Sequence, residues 1–190
     1  NAEYKIRCGI GISLIEGPEI TADEVLKRAE AAMYRSKKLG GNGYAFYEPA
    51  LQKIIDQRLQ IEREIISSIK NNEFSAYFQP QLDRKGNIIG AEALIRWLHP
   101  VKGLISPFFF IPVAEQSGII HQLQHIVLRD ACQLFKRLGS RYINDKQFTL
   151  AINVSACQFR TELHQSLLKT LVSFGLSPAN FKLEITESML

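Results

Sequence analysis

The sequence predicts an α/β protein in which most of the strands are parallel. From Phe74 onward, strand-like and helix-like segments alternate along the chain. This order is typical of parallel strands joined by right-handed helical crossovers. Three of the strand-like segments each carry one polar side chain among apolar residues, namely Glu92, Asn153 and Glu184. Because a carboxylate or amide inside a core is costly unless it is paired or bound, these residues indicate a site as well as a fold.

The N-terminal segment predicts a small strand, helix, strand unit. Residues 4–14 have a strand pattern, and Thr21 with Glu24 forms a capping box that opens an amphipathic helix ending near Leu39. Glycines then end the helix, and residues 44–48 predict a second strand. Since a unit of this size is too small to be a stable domain, we expect it to be the end of a larger one.

A long helix is predicted next, over residues 50–71, where apolar side chains recur at helical spacing with charges between them. Two interpretations remain open for this helix. It either couples two domains rigidly or is simply the first helix of the second domain. The predicted domain boundaries are therefore 1–49, 50–71 and 72–190.

The remainder of the chain predicts four strands and two helical stretches. Ser106 as N-cap and Pro107 at the first helical position mark a helix start, and Gly118 interrupts the periodicity that follows. A turn at residues 84–86 joins the first two strands. The predicted strands lie at 74–83, 87–97, 148–155 and 181–187, and the helical stretches at 106–138 and 156–174.

Composition excludes several classes of function. The net charge is +4 and the charges are scattered, which argues against a DNA or RNA partner. Cys8, Cys132 and Cys157 match neither a disulfide framework nor zinc spacing, so we expect a reducing, cytoplasmic compartment. No signal peptide or membrane-length apolar run is visible. The chain begins within one strand-like pattern and stops just after another, so we expect a piece of a longer protein, in which targeting and membrane segments could lie outside these residues.

The alternation of side chains along the strands predicts that the three polar residues share an inner face. Glu92, Leu94 and Arg96 fall on one face of their strand, and Asn153 and Glu184 fall on the equivalent faces of theirs. The opposite faces are apolar and suited to packing under helices. In a closed α/β barrel the inner faces converge, and the carboxyl ends of the strands form the site.

The donor set predicts a hard cation. Glu92, Asn153 and Glu184 offer only oxygen ligands, which favour Mg²⁺ or Mn²⁺ over zinc. Arg96 is placed to reach a phosphate oxygen bound to the same metal, so the implied chemistry is metal-assisted phosphoester hydrolysis. For any one of these residues, a salt bridge or a satisfied core polar group is the simpler interpretation. The three together favour the cation site.

Five separated motifs in residues 74–190 resemble those of a known family. The segment EALIRW, starting at Glu92, resembles the signature of the EAL family of cyclic di-GMP phosphodiesterases. Four further motifs occur in family order: FQPQ (78–81), GLISPFFFIPVAEQSG (103–118), INVS (152–155) and LEITES (183–188). The resemblance covers residues 74–190. It implies the N-terminal half of a TIM-like (β/α) barrel with one antiparallel strand, and hydrolysis of cyclic di-GMP to linear pGpG.

The same resemblance implies roles for individual residues. Glu92, Asn153 and Glu184 would ligate the metal, and both glutamates would take part in catalysis. Glu187 would order a neighbouring active-site loop. The residues that would hold the dinucleotide are Gln79, Leu94 and Arg96. A homodimer of the full-length protein is a further partner considered.

The N-terminal unit is similar to the C-terminal end of a GGDEF (diguanylate cyclase) domain. The resemblance rests on GIGIS (9–13) and on AEAAMYRSKKLGGNGY (29–44), and Lys37 matches the phosphate-contacting lysine of that family. The fold expected for the chain is therefore the last βαβ piece of an α+β GGDEF domain followed by a partial EAL barrel.

Three functions remain in competition for the parent protein. It is a cyclic di-GMP phosphodiesterase, a non-catalytic cyclic di-GMP receptor that signals through the helix at 50–71, or a protein-interaction module with a vestigial site. The EAL site also needs an aspartate pair and a lysine on later strands, which residues 1–190 do not supply. We therefore expect the isolated chain to have little or no hydrolase activity.

Overall fold

The computed structural model describes residues 7–15, 17–38, 40–139, 148–155, 158 and 161–185. The chain divides into two compact units, Asn1–Gln60 and Ile61–Leu190. The predicted domain boundaries remain predictions. Among the residues described, no helix is both long enough and apolar enough to cross a membrane.

The first unit contains a parallel strand pair and a helix. Strands β1 (Gly9–Ile12) and β2 (Gly43–Phe46) pair in parallel, and helix α1 (Ala22–Lys38) connects them. The predicted cap is present, since the Glu24 N–H donates to Thr21 Oγ1 at 3.3 Å. Helix α1 packs so closely on β1 that a Cβ at Gly11 would lie 1.9 Å from the Ala29 carbonyl oxygen. This contact explains why the strand needs glycine there.

Helix α2 (Pro49–Lys70) contains the boundary between the two units. Its observed bounds agree with the predicted helix to within one residue at each end. Asn72 follows it with a φ of 57°, in the left-handed region that asparagine tolerates. The chain then enters the first strand of the second unit.

The second unit is built on a mixed sheet of five strands. The strands are β3 (Phe74–Leu82), β4 (Ile88–His99), β5 (Gly103–Ile105), β6 (Thr149–Val154) and β7 (Phe181–Ile185). The sheet order is β3-β4-β6-β7, and β5 pairs with β4. The predicted parallel pairing is confirmed for β4 with β6 and for β6 with β7. Strand β3 is antiparallel to β4, and the short antiparallel strand β5 was not predicted.

Three helices cover one face of this sheet. They are α3 (Pro107–Ser117), α4 (Ile120–Leu138) and α5 (Thr161–Ser173). Gly118 separates α3 from α4 with a φ of 75°, which confirms the predicted break. Ser106 is the N-cap residue of α3, although its side chain makes no capping hydrogen bond. Part of the predicted helix at 156–174 lies outside the described residues.

Two apolar clusters hold the helices on the sheet. In one, Phe135 of α4 lies edge-on to Phe148, with ring centroids 5.6 Å apart, and at 5.3 Å from Phe181. In the other, Trp97 of β4 stacks on Phe74 at 5.1 Å and meets Phe110 of α3 at 5.6 Å. Phe110 therefore lies in the core, whereas its neighbours Phe108 and Phe109 are 80% and 61% exposed.

Candidate active site on the open face of the sheet

The predicted alternation of faces along β4 and β6 is confirmed. Ala91, Ala93 and Trp97 are buried, and Leu150 and Ile152 of β6 lie in the same core as the two alanines. Glu92, Leu94 and Arg96 of β4 are only partly buried on the opposite face. On β4 and β6 the helices thus take the apolar face, and the polar residues lie on the other. On β7 the prediction of a buried apolar face was wrong for the described residues, because Leu183 and Ile185 are 42% and 51% exposed.

The strand register brings the three predicted ligands to adjacent positions. Asn153 is the register partner of Glu184 on β7. Glu92 is paired with Ala151, which precedes Asn153 by two residues and shares its face. As a result, Asn153 Nδ2 donates a hydrogen bond of 2.6 Å to Glu92 Oε1. Three strands that are distant in sequence therefore supply oxygen-bearing side chains to one patch of the sheet.

The burial expected for these residues was wrong. Asn153 is exposed, and Glu92 and Glu184 are only half-buried. In the part of the chain that the structure describes, the face that carries them is not covered by another layer of structure. Water can therefore solvate these three side chains, and they do not incur the free-energy cost of burying an unpaired polar oxygen.

The remaining predicted site residues lie around this patch. Gln79 is exposed on β3, directly opposite Glu92 in the antiparallel register. Leu94 and Arg96 continue the face of Glu92 toward the carboxyl end of β4, and Arg96 Nη1 donates to the Ile95 carbonyl at 2.9 Å. Glu187 lies outside the described residues.

Two cations accompany the carboxylates. Lys182 Nζ lies 3.8 Å from Glu184 Oε1, and this lysine is 63% exposed. Arg96 provides a guanidinium whose several N–H groups can bind phosphate oxygens in pairs. Negative and positive groups are thus interleaved on the patch, an arrangement suited to a ligand that carries phosphate together with a cation.

The donor chemistry of the patch fits a hard divalent cation. Carboxylate and amide oxygens are ligands that Mg²⁺ and Mn²⁺ accept. Among the described residues, no group of three or more His, Cys, Asp or Glu side chains is arranged to hold a metal ion. A cation at this patch would therefore have to take the Asn153 amide as a third protein ligand beside Glu92 and Glu184.

A cavity of about 190 Å³ opens beside the patch, at the carboxyl ends of β4 and β6. Leu94, Arg96 and Asn153 line it, together with Glu115 of α3 and Ser155. Ser155 Oγ donates to Glu115 Oε1 at 2.5 Å. Sequence reasoning included both residues in family motifs but assigned them no role, because nothing in their spacing shows that they meet.

The sequence model of the EAL domain matches residues 61–190. The chain belongs to the EAL domain family. The three residues that give the family its name are Glu92, Ala93 and Leu94 here, so the first candidate ligand opens the motif.

Curated EAL relatives align with almost the whole chain. The bifunctional diguanylate cyclase/cyclic di-GMP phosphodiesterase MucR of Pseudomonas aeruginosa is 36% identical over 188 residues, which is 98% of this chain and 27% of MucR. The cyclic di-GMP phosphodiesterase NbdA of the same organism is 33% identical over 183 residues, 95% of this chain and 23% of NbdA. The chain thus spans about a quarter of the length of these relatives.

Solved EAL structures share the fold. The PaMucR phosphodiesterase in complex with c-di-GMP has a TM-score of 0.60 and 34% identity, covering 67% of this chain and 52% of that structure. The EAL enzyme Bd1971 in its cGMP-bound form has a TM-score of 0.64 and 25% identity, covering 90% of this chain and 48% of that structure. The α/β fold of this chain is therefore of the EAL type.

Proposed function

We propose that the full-length protein hydrolyses cyclic di-GMP to linear pGpG on the open face of β4, β6 and β7. The observation that carries this proposal is the convergence of Glu92, Asn153 and Glu184 from three strands, marked by the 2.6 Å contact between Asn153 and Glu92. The similarity to MucR and NbdA, both described as cyclic di-GMP phosphodiesterases, supports the same reaction.

In this proposal Glu92, Asn153 and Glu184 hold Mg²⁺ or Mn²⁺. A bound divalent cation supplies Lewis-acid activation of the phosphoester and of the attacking water. The amide of Asn153 can donate through Nδ2 to Glu92 and still offer its oxygen as a ligand, because the two atoms are separate. The hydrogen bond therefore orients both side chains before any ligand arrives.

The neighbouring residues bind the dinucleotide. Arg96 holds a phosphate through its guanidinium, and Leu94 provides an apolar contact between Glu92 and Arg96 on the same face. Gln79 contributes an amide from the facing strand. In the same proposal Glu187 orders an adjacent loop.

The five-stranded sheet is, in this proposal, part of a TIM-like barrel. The nucleotide substrate is consistent with action in the cytoplasm.

The N-terminal unit is, in the same proposal, the end of a GGDEF domain. Its parallel strand pair with an intervening helix has the βαβ order expected for that piece. The alignment with MucR, a bifunctional diguanylate cyclase and phosphodiesterase, extends over 98% of the chain and so includes most of this unit. A homodimer remains a prediction.

The test is hydrolysis of cyclic di-GMP by the purified full-length protein, followed by chromatography of pGpG with Mg²⁺, with Mn²⁺ and with a chelator. We expect Glu92→Gln to lower kcat by about 100-fold or more, since it removes a charge aimed at the reacting centre. The matched control is Glu64→Gln, which alters a carboxylate paired with Lys102 outside the site. Turnover that survives the chelator would contradict the metal assignment. Tight cyclic di-GMP binding without turnover would instead establish a receptor.

A further inference from the structure

The carboxyl end of β6 is bonded by two side chains, Glu115 of α3 and Gln158. Ser155, the residue that follows β6, is buried and donates its hydroxyl proton to Glu115 Oε1 on α3 at 2.5 Å. A hydroxyl donating to a carboxylate at this distance is a charge-assisted hydrogen bond, roughly twice as strong as a neutral one. Helix α3 therefore holds the end of the strand through one short contact.

A second contact fixes the backbone of the same residue. The Ser155 N–H donates to Gln158 Oε1 at 3.0 Å, and Gln158 Nε2 donates to Gln124 Oε1 of α4 at 2.7 Å. Because a backbone N–H can only donate, Gln158 must present its oxygen to Ser155 and its NH₂ group to Gln124. Both glutamines are buried. The Ser155 N–H therefore fixes which way the Gln158 amide faces, and Gln158 in turn bonds to Gln124.

These contacts bear directly on Asn153, which lies two residues before Ser155. At a strand rise of about 3.3 Å per residue, the anchor is roughly 7 Å along the strand from the candidate ligand. Asn153 is exposed, so side-chain packing does little to fix it. The position of its backbone therefore decides whether its amide reaches Glu92.

We propose that Glu115 is a positioning residue for the metal site, which acts on Asn153 through Ser155. The inference rests on the proposed function, because it takes Asn153 to be a ligand. Glu115 touches neither Glu92 nor Glu184 in the contacts described, and its contribution passes along β6. Groups that hydrogen-bond directly to metal ligands typically change metal affinity by about 10–100-fold when they are removed, and Glu115, which bonds two residues away from Asn153, should act at the lower end of that range.

The test measures Mn²⁺ affinity of the full-length protein by electron paramagnetic resonance. We expect Glu115→Ala to weaken binding by about 10-fold or more. Glu115→Gln keeps an acceptor for the Ser155 hydroxyl and should stay within about threefold of the wild type. The double variant Glu115→Ala with Asn153→Ala should bind no more weakly than Asn153→Ala alone, since Glu115 acts only through Asn153. Thermal melting of each variant checks that it folds.

Glu64→Ala is the matched control, because it also removes a carboxylate that bonds to another element, at 2.6 Å from Lys102 Nζ, but away from β6. It should leave Mn²⁺ affinity unchanged. Wild-type affinity in Glu115→Ala, or losses that add in the double variant, would overturn the inference. Absence of any Asn153-dependent Mn²⁺ binding in the wild type would overturn it together with the metal assignment. Failure of hydrolysis alone, with the affinity pattern intact, would count only against the proposed function.

Discussion

Asn153 shows how the surroundings of one residue change its interpretation. From the sequence it is an amide inside an apolar strand, which suggests a buried group in need of a partner. In the structure it is exposed, and it donates to Glu92 across the sheet. Its polarity therefore follows from the face it occupies, and its position beside two carboxylates from other strands makes it a candidate ligand.

Glu73 is a second residue whose chemistry depends on folded neighbours. Its carboxylate accepts hydrogen bonds from Ser68 Oγ at 2.5 Å and from Trp97 Nε1 at 3.5 Å. The Ser68 hydroxyl is the largest cause that holds the pKa of Glu73 below its ordinary value of 4.5, and Asn71 and Trp97 add to it. These contacts join the end of α2 to β4, and they are strongest while the Glu73 carboxylate is charged.

This arrangement predicts an acid-sensitive contribution to stability. Because folding lowers the pKa of Glu73, the contribution is complete above pH 4.5 and is lost as the pH falls through the lowered value. Glu73→Gln removes that titration, so its urea midpoint should fall less than that of the wild type between neutral pH and about pH 3. Ser68→Ala should also reduce the acid sensitivity. Equal losses in wild type and Glu73→Gln would contradict this account.

Among the elements, β4 does most to assemble the site. It carries Glu92, Leu94 and Arg96 on one face, pairs with β3 along its length, and pairs with β6 through residues 90–93. At Gly90 the partner strand comes so close that an added Cβ would lie 2.3 Å from the Thr149 carbonyl oxygen. A backbone atom cannot move aside as a flexible side chain can, so glycine sets the spacing between β4 and β6.

We predict that Gly90→Ala destabilises the second unit by about 1–3 kcal/mol and shifts β6 relative to β4. Ile88→Ala, in the same strand but at a side chain that is 56% exposed, is the control and should cost less than about 1 kcal/mol. Urea unfolding followed by tryptophan fluorescence measures both, because Trp97 is buried in this unit. If Gly90→Ala were as stable as the wild type, β4 and β6 could move apart at this position without cost, and the prediction would be wrong.

At the scale of the whole molecule, the open face of the sheet limits what this chain can do alone. Glu92, Asn153 and Glu184 lie on a face that the described residues leave accessible to solvent. A water-exposed site has a high effective dielectric constant, and electrostatic stabilisation of developing charge is weak there. The resemblance to the EAL family also implies that a complete site uses an aspartate pair and a lysine on later strands.

We therefore predict that purified residues 1–190 hydrolyse cyclic di-GMP far more slowly than the full-length protein under the same Mg²⁺ or Mn²⁺ concentration. The measurement is pGpG formation by chromatography, with circular dichroism to confirm that the isolated chain is folded. Turnover by residues 1–190 at the rate of the full-length protein would show that the first strands suffice for catalysis.

The sequence alone predicted most of the helices and strands and the two faces of β4 and β6. The alternation of side chains placed Glu92 and Asn153 opposite the apolar side chains. Capping residues and glycines located the ends of α1 and α3. Both kinds of pattern depend on neighbours only a few residues away, so they can be read from the sequence. The family followed from motifs that are continuous in sequence. Glu115 and Ser155 carried no such signal, since they are 40 residues apart and meet only when α3 packs beside the end of β6.

The tertiary structure decided the exposure of Asn153, the short strand β5 and the contact between Glu115 and Ser155. Each of these features depends on contacts between residues that are far apart in the sequence, and the spacing of residues along the chain does not predict such contacts. The residue types thus predict the chemistry proposed for the site, whereas the contacts that hold those residues in place are visible only in the fold.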